Sequence, residues 1–138
     1  MRHILIATHS TLAEGFKRAK ELLVGTDQEL KAICAYIDES DYTNQIDEFF
    51  ENYDSNSEYI VLTDIFGGSV NQKNVIYKEK YNFRLITGVN LPLLLAIVLS
   101  PEPISDEDLL ILIKDARESL KIVELDNSNS ENEEDFLE

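Results

Sequence analysis

The chain has 138 residues, 43% of them hydrophobic and 28% charged, with 27 acidic against 12 basic side chains and a formal charge of −15. That length predicts one domain with a core of its own, and the acidic balance argues against nucleic-acid and anionic-membrane partners, which need a basic footprint. A single cysteine, Cys34, excludes an internal disulfide framework and fits a reducing compartment.

Residues 4–7 form an apolar run suited to a strand buried on both faces. A helix follows, with Leu12, Phe16, Ala19 and Leu23 on one face, a capping box from Thr11 and Glu14, and Gly25 as its stop. Residues 31–36 read as a second strand. Over 41–53, Ile46, Phe49, Phe50 and Tyr53 recur at the spacing of an amphipathic helix. A third strand, 59–63, ends at Asp64 and leads through Gly67-Gly68-Ser69 into a helix running to about Lys80. Residues 83–87 are a fourth strand. Asn90 caps a short apolar helix with Pro92 in its first turn, and Pro101 and Pro103 end it. Ser105 and Asp108 open a last helix, whose stripe is Leu109, Ile113, Ala116 and Leu120. Residues 121–125 alternate as a fifth strand. Residues 126–138 hold six acids and no base, a tail that reads as solvated and disordered.

No apolar run reaches the 18–20 or so residues needed to span a bilayer. The first residues lack the apolar core and cleavage site of a secretory signal, so a cytoplasmic protein is expected. Strands separated by helices predict an α/β fold: a doubly wound, mostly parallel five-stranded sheet with helices on both faces, built from residues 1–125. Such sheets bind ligands beyond the carboxyl ends of their strands, beside the topological switch point. The loops at 8–11, 64–69 and 88–91 are therefore the places to look for chemistry.

His9 follows the first strand at the start of a helix, where helix amides favour negative charge. A neutral imidazole there is a nucleophile, and the plain alternative is a histidine that only caps the helix. Asp64 ends the third strand, which should neighbour the first. Its carboxylate would fix the His9 tautomer by accepting from one ring nitrogen, leaving the other free; the plain alternative is an Asp on a turn amide. Gly67 and Gly68 let backbone amides approach an anion, and Ser69 offers a helix cap and a hydroxyl. No P-loop and no metal-ligand spacing is present, and no cofactor or metal is expected. His3 lies at the opposite end of the first strand, where a structural or exposed role fits it. Cys34, between Ile33 and Ala35, reads as core.

These pieces resemble the enzyme IIA domain of mannose-type sugar phosphotransferase systems. Ile6-Ala7-Thr8-His9-Ser10 with Leu12-Ala13-Glu14-Gly15 is similar to that family's start. Asp64-Ile65-Phe66-Gly67-Gly68-Ser69 is similar to its Asp-x-x-Gly-Gly-Ser loop, and Gly88-Val89-Asn90-Leu91-Pro92 to its Gly-x-Asn-Leu-Pro segment. The resemblance implies that His9 accepts a phosphoryl group on Nε2 from the carrier protein HPr and passes it to enzyme IIB. Sugar is then phosphorylated as it enters through the membrane subunits IIC and IID. It implies that Asp64 orients the ring and that Gly67, Gly68 and Ser69 cradle the phosphoryl group. It implies a homodimer, with the last strand, antiparallel and exchanged, at residues 121–125. Neither ATP nor a metal is demanded, because the donor phosphohistidine is already high in transfer potential. Where family members often have Pro and then Phe-Asn after Gly-Gly-Ser, this chain has Val70-Asn71-Gln72, which puts the partner-contact surface in question. The chain shows no linker to a fused IIB domain, so a separate IIB is expected.

Three rivals stand beside this reading. The phosphocarrier subunit of a dihydroxyacetone kinase shares the fold and early histidine. A receiver-like signalling module would be phosphorylated on Asp64, but receivers need an acidic cluster after the first strand, where this chain has Thr8-His9-Ser10. A regulatory domain without phosphoryl transfer is the third.

Overall fold

The computed structural model describes residues 1–125. β1 (Arg2–His9) is an interior strand of its sheet, and Ile4 through Thr8 are buried without a break, as the apolar run requires. β2 (Leu30–Ala35), β3 (Glu58–Thr63) and β4 (Arg84–Thr87) join it in the order β2-β1-β3-β4, every pair parallel. The connecting helices are α1 (Leu12–Val24), α2 (Thr43–Phe49) and α3 (Ser69–Tyr77), and α4 (Leu91–Leu99) and α5 (Asp106–Glu118) follow β4. Alternate side chains of β1 feed two cores. Ile4 and Ile6 pack with Ala13 of α1, Leu94 and Ile97 of α4 and Leu109 of α5. Leu5 and Ala7 pack with Ile46, Phe50 and Val70 on the α2–α3 face. Each such fully buried aliphatic chain contributes about 1.5–3 kcal/mol relative to exposure. The expected parallel sheet with helices on both faces is what the chain forms.

The amino ends of the strands are closed by charge. Arg2, almost fully buried, donates through Nε to Glu58 at 2.6 Å and through Nη1 to the carbonyls of Ile97 and Ser100, both at 2.8 Å. Glu58 also accepts the Ile104 amide at 2.7 Å and pairs with Arg84. Burial pushes the Glu58 carboxyl up, but Arg2, the Ile104 amide and Arg84 outweigh it and hold the group below its usual range. His3 stacks on Tyr59 at 4.5 Å at this same end, and Cys34 is half-buried against the α1–α4 core.

Three expectations are corrected. The described residues contain four strands, not five: 121–125 leaves α5 unpaired, and Ile122 is 87% exposed. Alternation makes a segment able to be a strand, but only a neighbouring ladder makes it one. The inward face of α1 is not Leu12–Phe16–Ala19–Leu23. Ala13 and Lys20 are buried, Phe16 packs beside them, and Leu12 and Leu23 are exposed. Lys20 lies along the core with its ammonium on the Gln28 carbonyl, so a residue counted as polar carries part of the apolar stripe. Leu120, placed on the α5 stripe, lies beyond that helix and is exposed. The acidic tail lies outside the described residues. No described helix is long and apolar enough to cross a membrane.

Candidate active site

β1 and β3 stay in register through Ala7 and Thr63, and then part. β1 continues beside β2 until His9 lies opposite Ala35, while β3 turns away at Asp64. His9 is thus the last residue of the strand rather than part of the loop after it, at the point where the sheet's connections reverse direction. The Asp64 side chain fills the place a continuing strand would take. Its Oδ2 accepts the His9 backbone N–H at 3.0 Å and lies 3.0 Å from His9 Nδ1. Its Oδ1 lies 3.3 Å from the same ring nitrogen and accepts the Ile65 amide at 3.1 Å.

An ionised carboxylate only accepts, so it holds a proton on Nδ1 and leaves the Nε2 lone pair free. The Asp64 side chain is 9% exposed and that of His9 36%, so the carboxylate is buried and the imidazole is partly open. Burial pushes the Asp64 carboxyl up, but the hydrogen bonds from the His9 amide and ring outweigh it, and its pKa lies below the usual carboxylate value. A fixed negative charge therefore faces a ring that becomes cationic when Nε2 forms a bond.

Beyond Asp64 the chain turns tightly into α3. Gly67 takes the left-handed conformation, φ 74°, which a side chain would strain. A Cβ on Gly68 would stand 3.4 Å from His9 Cε1 and 3.2 Å from the Ile65 carbonyl, so this glycine lets the loop lie against the imidazole. Ser69 does not cap α3: Gly68 occupies the cap position and Ser69 is the first helical residue. Its Oγ instead accepts the hydroxyl of Tyr36 at 2.8 Å. The Thr11–Glu14 capping box is likewise absent at α1, where Thr8 Oγ1 takes the Ala13 amide at 2.7 Å. Ser10, in left-handed backbone, swings the chain from strand to helix closely enough for that bond.

His9, Asp64, Gly68 and Ser69 are thus gathered in one place. The 88–91 loop is not part of it. Val89 donates to the Thr63 carbonyl, and Asn90 caps α4 through the Leu93 amide while donating to the Ala116 carbonyl. Of Val70-Asn71-Gln72, the first two are buried, with Asn71 accepting from Thr63, and only Gln72 reaches the surface. At this end of the sheet Leu12, at the start of α1, and Ile37, Ile65 and Phe66, in the segments after β2 and β3, are exposed. Tyr36 was missed. Its ring centroid lies 5.7 Å from that of His9. The rule that pointed to the ends of the other strands applies equally to the end of β2.

A family model for EIIA-man, described as the fructose IIA component of the phosphotransferase system (PTS), matches residues 3–110. The chain belongs to the EIIA-man family. It is 27% identical over 124 residues to the mannose-specific EIIAB component of the PTS of Escherichia coli strain K12, covering 86% of this chain and 38% of that protein. The chain therefore spans well under half the length of the curated relatives it matches. Among solved structures, one described as a phosphoenolpyruvate-dependent sugar PTS permease from Klebsiella pneumoniae shares 32% identity at a TM-score of 0.78, over 88% of this chain and 90% of that one. The mannose/sorbose-specific IIA subunit from Enterococcus faecalis, 19% identical, superposes with a TM-score of 0.77 over 93% and 98% of the two chains and speaks for the fold. Membership of EIIA-man makes the protein a IIA-type component of a sugar PTS.

Proposed function

We propose that the chain is a phosphohistidine carrier: Nε2 of His9 accepts a phosphoryl group from the phosphohistidine of HPr and passes it to enzyme IIB, for coupled uptake and phosphorylation of a sugar through IIC and IID. The observation that carries this reading is the Asp64 carboxylate 3.0 Å from Nδ1, behind a ring whose side chain is 36% exposed. As Nε2 bonds to phosphorus, the donor's P–N bond breaks and its electron pair returns to the donor ring. The proton stays on Nδ1, and the positive charge gained by the imidazole faces Asp64. Such a transfer runs through a loose transition state in which positioning and electrostatics are the protein's main tasks. Gly67 and Gly68 leave room for the phosphoryl oxygens, and the Ser69 hydroxyl and the unpaired first-turn amides of α3 are donors for them. The apolar rim of Leu12, Ile37, Ile65 and Phe66 suits docking by proteins rather than capture of a small molecule in a deep pocket.

In this reading residues 1–125 are the carrier domain, working in the cytoplasm as a homodimer. The exposed segment 121–125 would pair with the sheet of a second copy, and no described strand covers the outer edges of β2 and β4. A receiver-like role for Asp64 is disfavoured because both of its oxygens are already engaged, by His9 and by the Ile65 amide. Incubation with radiolabelled phospho-HPr tests the proposal. The label should be acid-labile and base-stable, and absent from His9→Ala. Undiminished labelling of His9→Ala, or a base-labile label, would overturn it.

A further inference from the structure

Tyr36 follows β2, and Ser69 follows the β3 turn; since β1 lies between β2 and β3, the two residues stand on opposite sides of His9. Tyr36 is one of two described non-glycine residues in the left-handed region, at φ 65°. A bulky side chain persists there only where its surroundings hold it, and such strain gathers at functional sites. This backbone turn sends the phenol across the end of β1. The ring is tilted against His9 at 5.7 Å, Tyr42 meets it edge-on at 5.5 Å, and its hydroxyl donates to Ser69 Oγ at 2.8 Å. Tyr42 is itself buried, so the support is rigid. The bond joins the two loops that flank the imidazole.

We propose that Tyr36 is a positioning residue for phosphoryl transfer: by donating its phenol proton to Ser69 Oγ across His9, it leaves the Ser69 hydroxyl proton aimed at the phosphoryl oxygens on Nε2. This rests on His9 being the phosphoryl acceptor. A serine hydroxyl has one proton and two acceptor sites, and it rotates freely when exposed. Among the described residues, the bond from Tyr36 is the one hydrogen bond that Ser69 Oγ makes, so it alone restrains the rotor. With one acceptor site filled by Tyr36, the proton has fewer orientations left to it, and the accepted bond polarises it as a donor. Neither hydroxyl gains or loses a proton in the reaction.

Phosphoramidate is a donor that needs no docking protein. The Nε2 lone pair of His9 forms the new N–P bond while the donor's N–P bond breaks and its electron pair leaves with ammonia; the ring proton stays on Nδ1 beside Asp64. In a His3→Gln background, where His9 is the sole imidazole, phosphorylation is followed by 31P NMR in the parent, Tyr36→Phe, Ser69→Ala and the double variant. Phenylalanine keeps the ring and its packing. Tyr36→Phe should be phosphorylated about fivefold more slowly, the worth of one ordinary hydrogen bond, and its phosphohistidine resonance should move. Ser69→Ala should do the same, and the double variant should be no slower than Ser69→Ala alone. Normal phosphorylation of Tyr36→Phe, or a loss that multiplies with that of Ser69→Ala, overturns the role of Tyr36 and leaves His9 as acceptor. A parent that takes no phosphoryl group on His9 overturns both.

Discussion

In the proposed carrier, the behaviour of His9 as a nucleophile is decided by the group behind it. A free imidazole exchanges its proton between two nitrogens and turns about its bonds; here the Asp64 carboxylate, depressed in pKa and mostly buried, removes both freedoms. Asp64→Asn presents an amide whose NH2 group can face Nδ1 and favour the opposite tautomer. Transfer from HPr should then slow by at least about 10–100-fold, the range for losing the group that orients a metal-bound imidazole. Stopped-flow or quench-flow labelling checks this, and an unchanged rate would show that the carboxylate does not orient the ring. The residue types and spacing made His9 and Asp64 legible, because a strand-end histidine and a strand-end aspartate on adjacent parallel strands have few other places to go. Tyr36 was not legible as a site residue, since its role comes from a left-handed backbone turn that no periodicity records.

Among the elements, helix caps and the amino-end charge cluster separate local signals from tertiary ones. Asn90 and Ser105 cap α4 and α5 as their spacing predicts, because those caps are satisfied within a few residues. At α1 and α3 the expected caps lose to contacts made by the site: Thr8 reaches over the Ser10 turn, and Ser69 is drawn to Tyr36. The Arg2–Glu58–Arg84 cluster was invisible in sequence because Glu58 lies 56 residues from Arg2 and 26 from Arg84. Glu58→Ala leaves the Arg2 guanidinium buried without its carboxylate, which should cost about 3–5 kcal/mol in chemical denaturation. Glu58 has a lowered folded pKa, so its contribution is present above the unfolded value near 4.3 and is lost as pH falls through the lower folded value. Acidification below about pH 4 should therefore destabilise the wild type more steeply than Glu58→Gln. Parallel pH dependences would show that Glu58 is not the group responsible.

At the scale of the whole molecule, the parallel sheet with helices on both faces, and the third strand beside the first, were legible because β1 and β3 are continuous apolar runs and the helices between strands return to one sheet. The fifth strand was not, because a strand is a property of a pair, and the described residues of one chain give 121–125 no neighbour. If that segment completes the sheet of a second copy, a chain ending at Ser119 should run as a monomer in light scattering while the full chain runs as a dimer. Equal masses for the two would remove 121–125 from the interface. The site itself uses only the described fold of one chain, so phosphoryl acceptance by the shortened chain should persist.

The most direct measurement is NMR of the chain carrying 15N-labelled histidine, before and after phosphorylation by phospho-HPr. Before transfer, the His9 ring should carry its proton on Nδ1; afterwards, Nε2 of the same ring should show one-bond coupling to phosphorus, with Nδ1 still protonated. Phosphorus coupled to Nδ1, or a phosphorylated protein with no coupling to either nitrogen of His9, would contradict it.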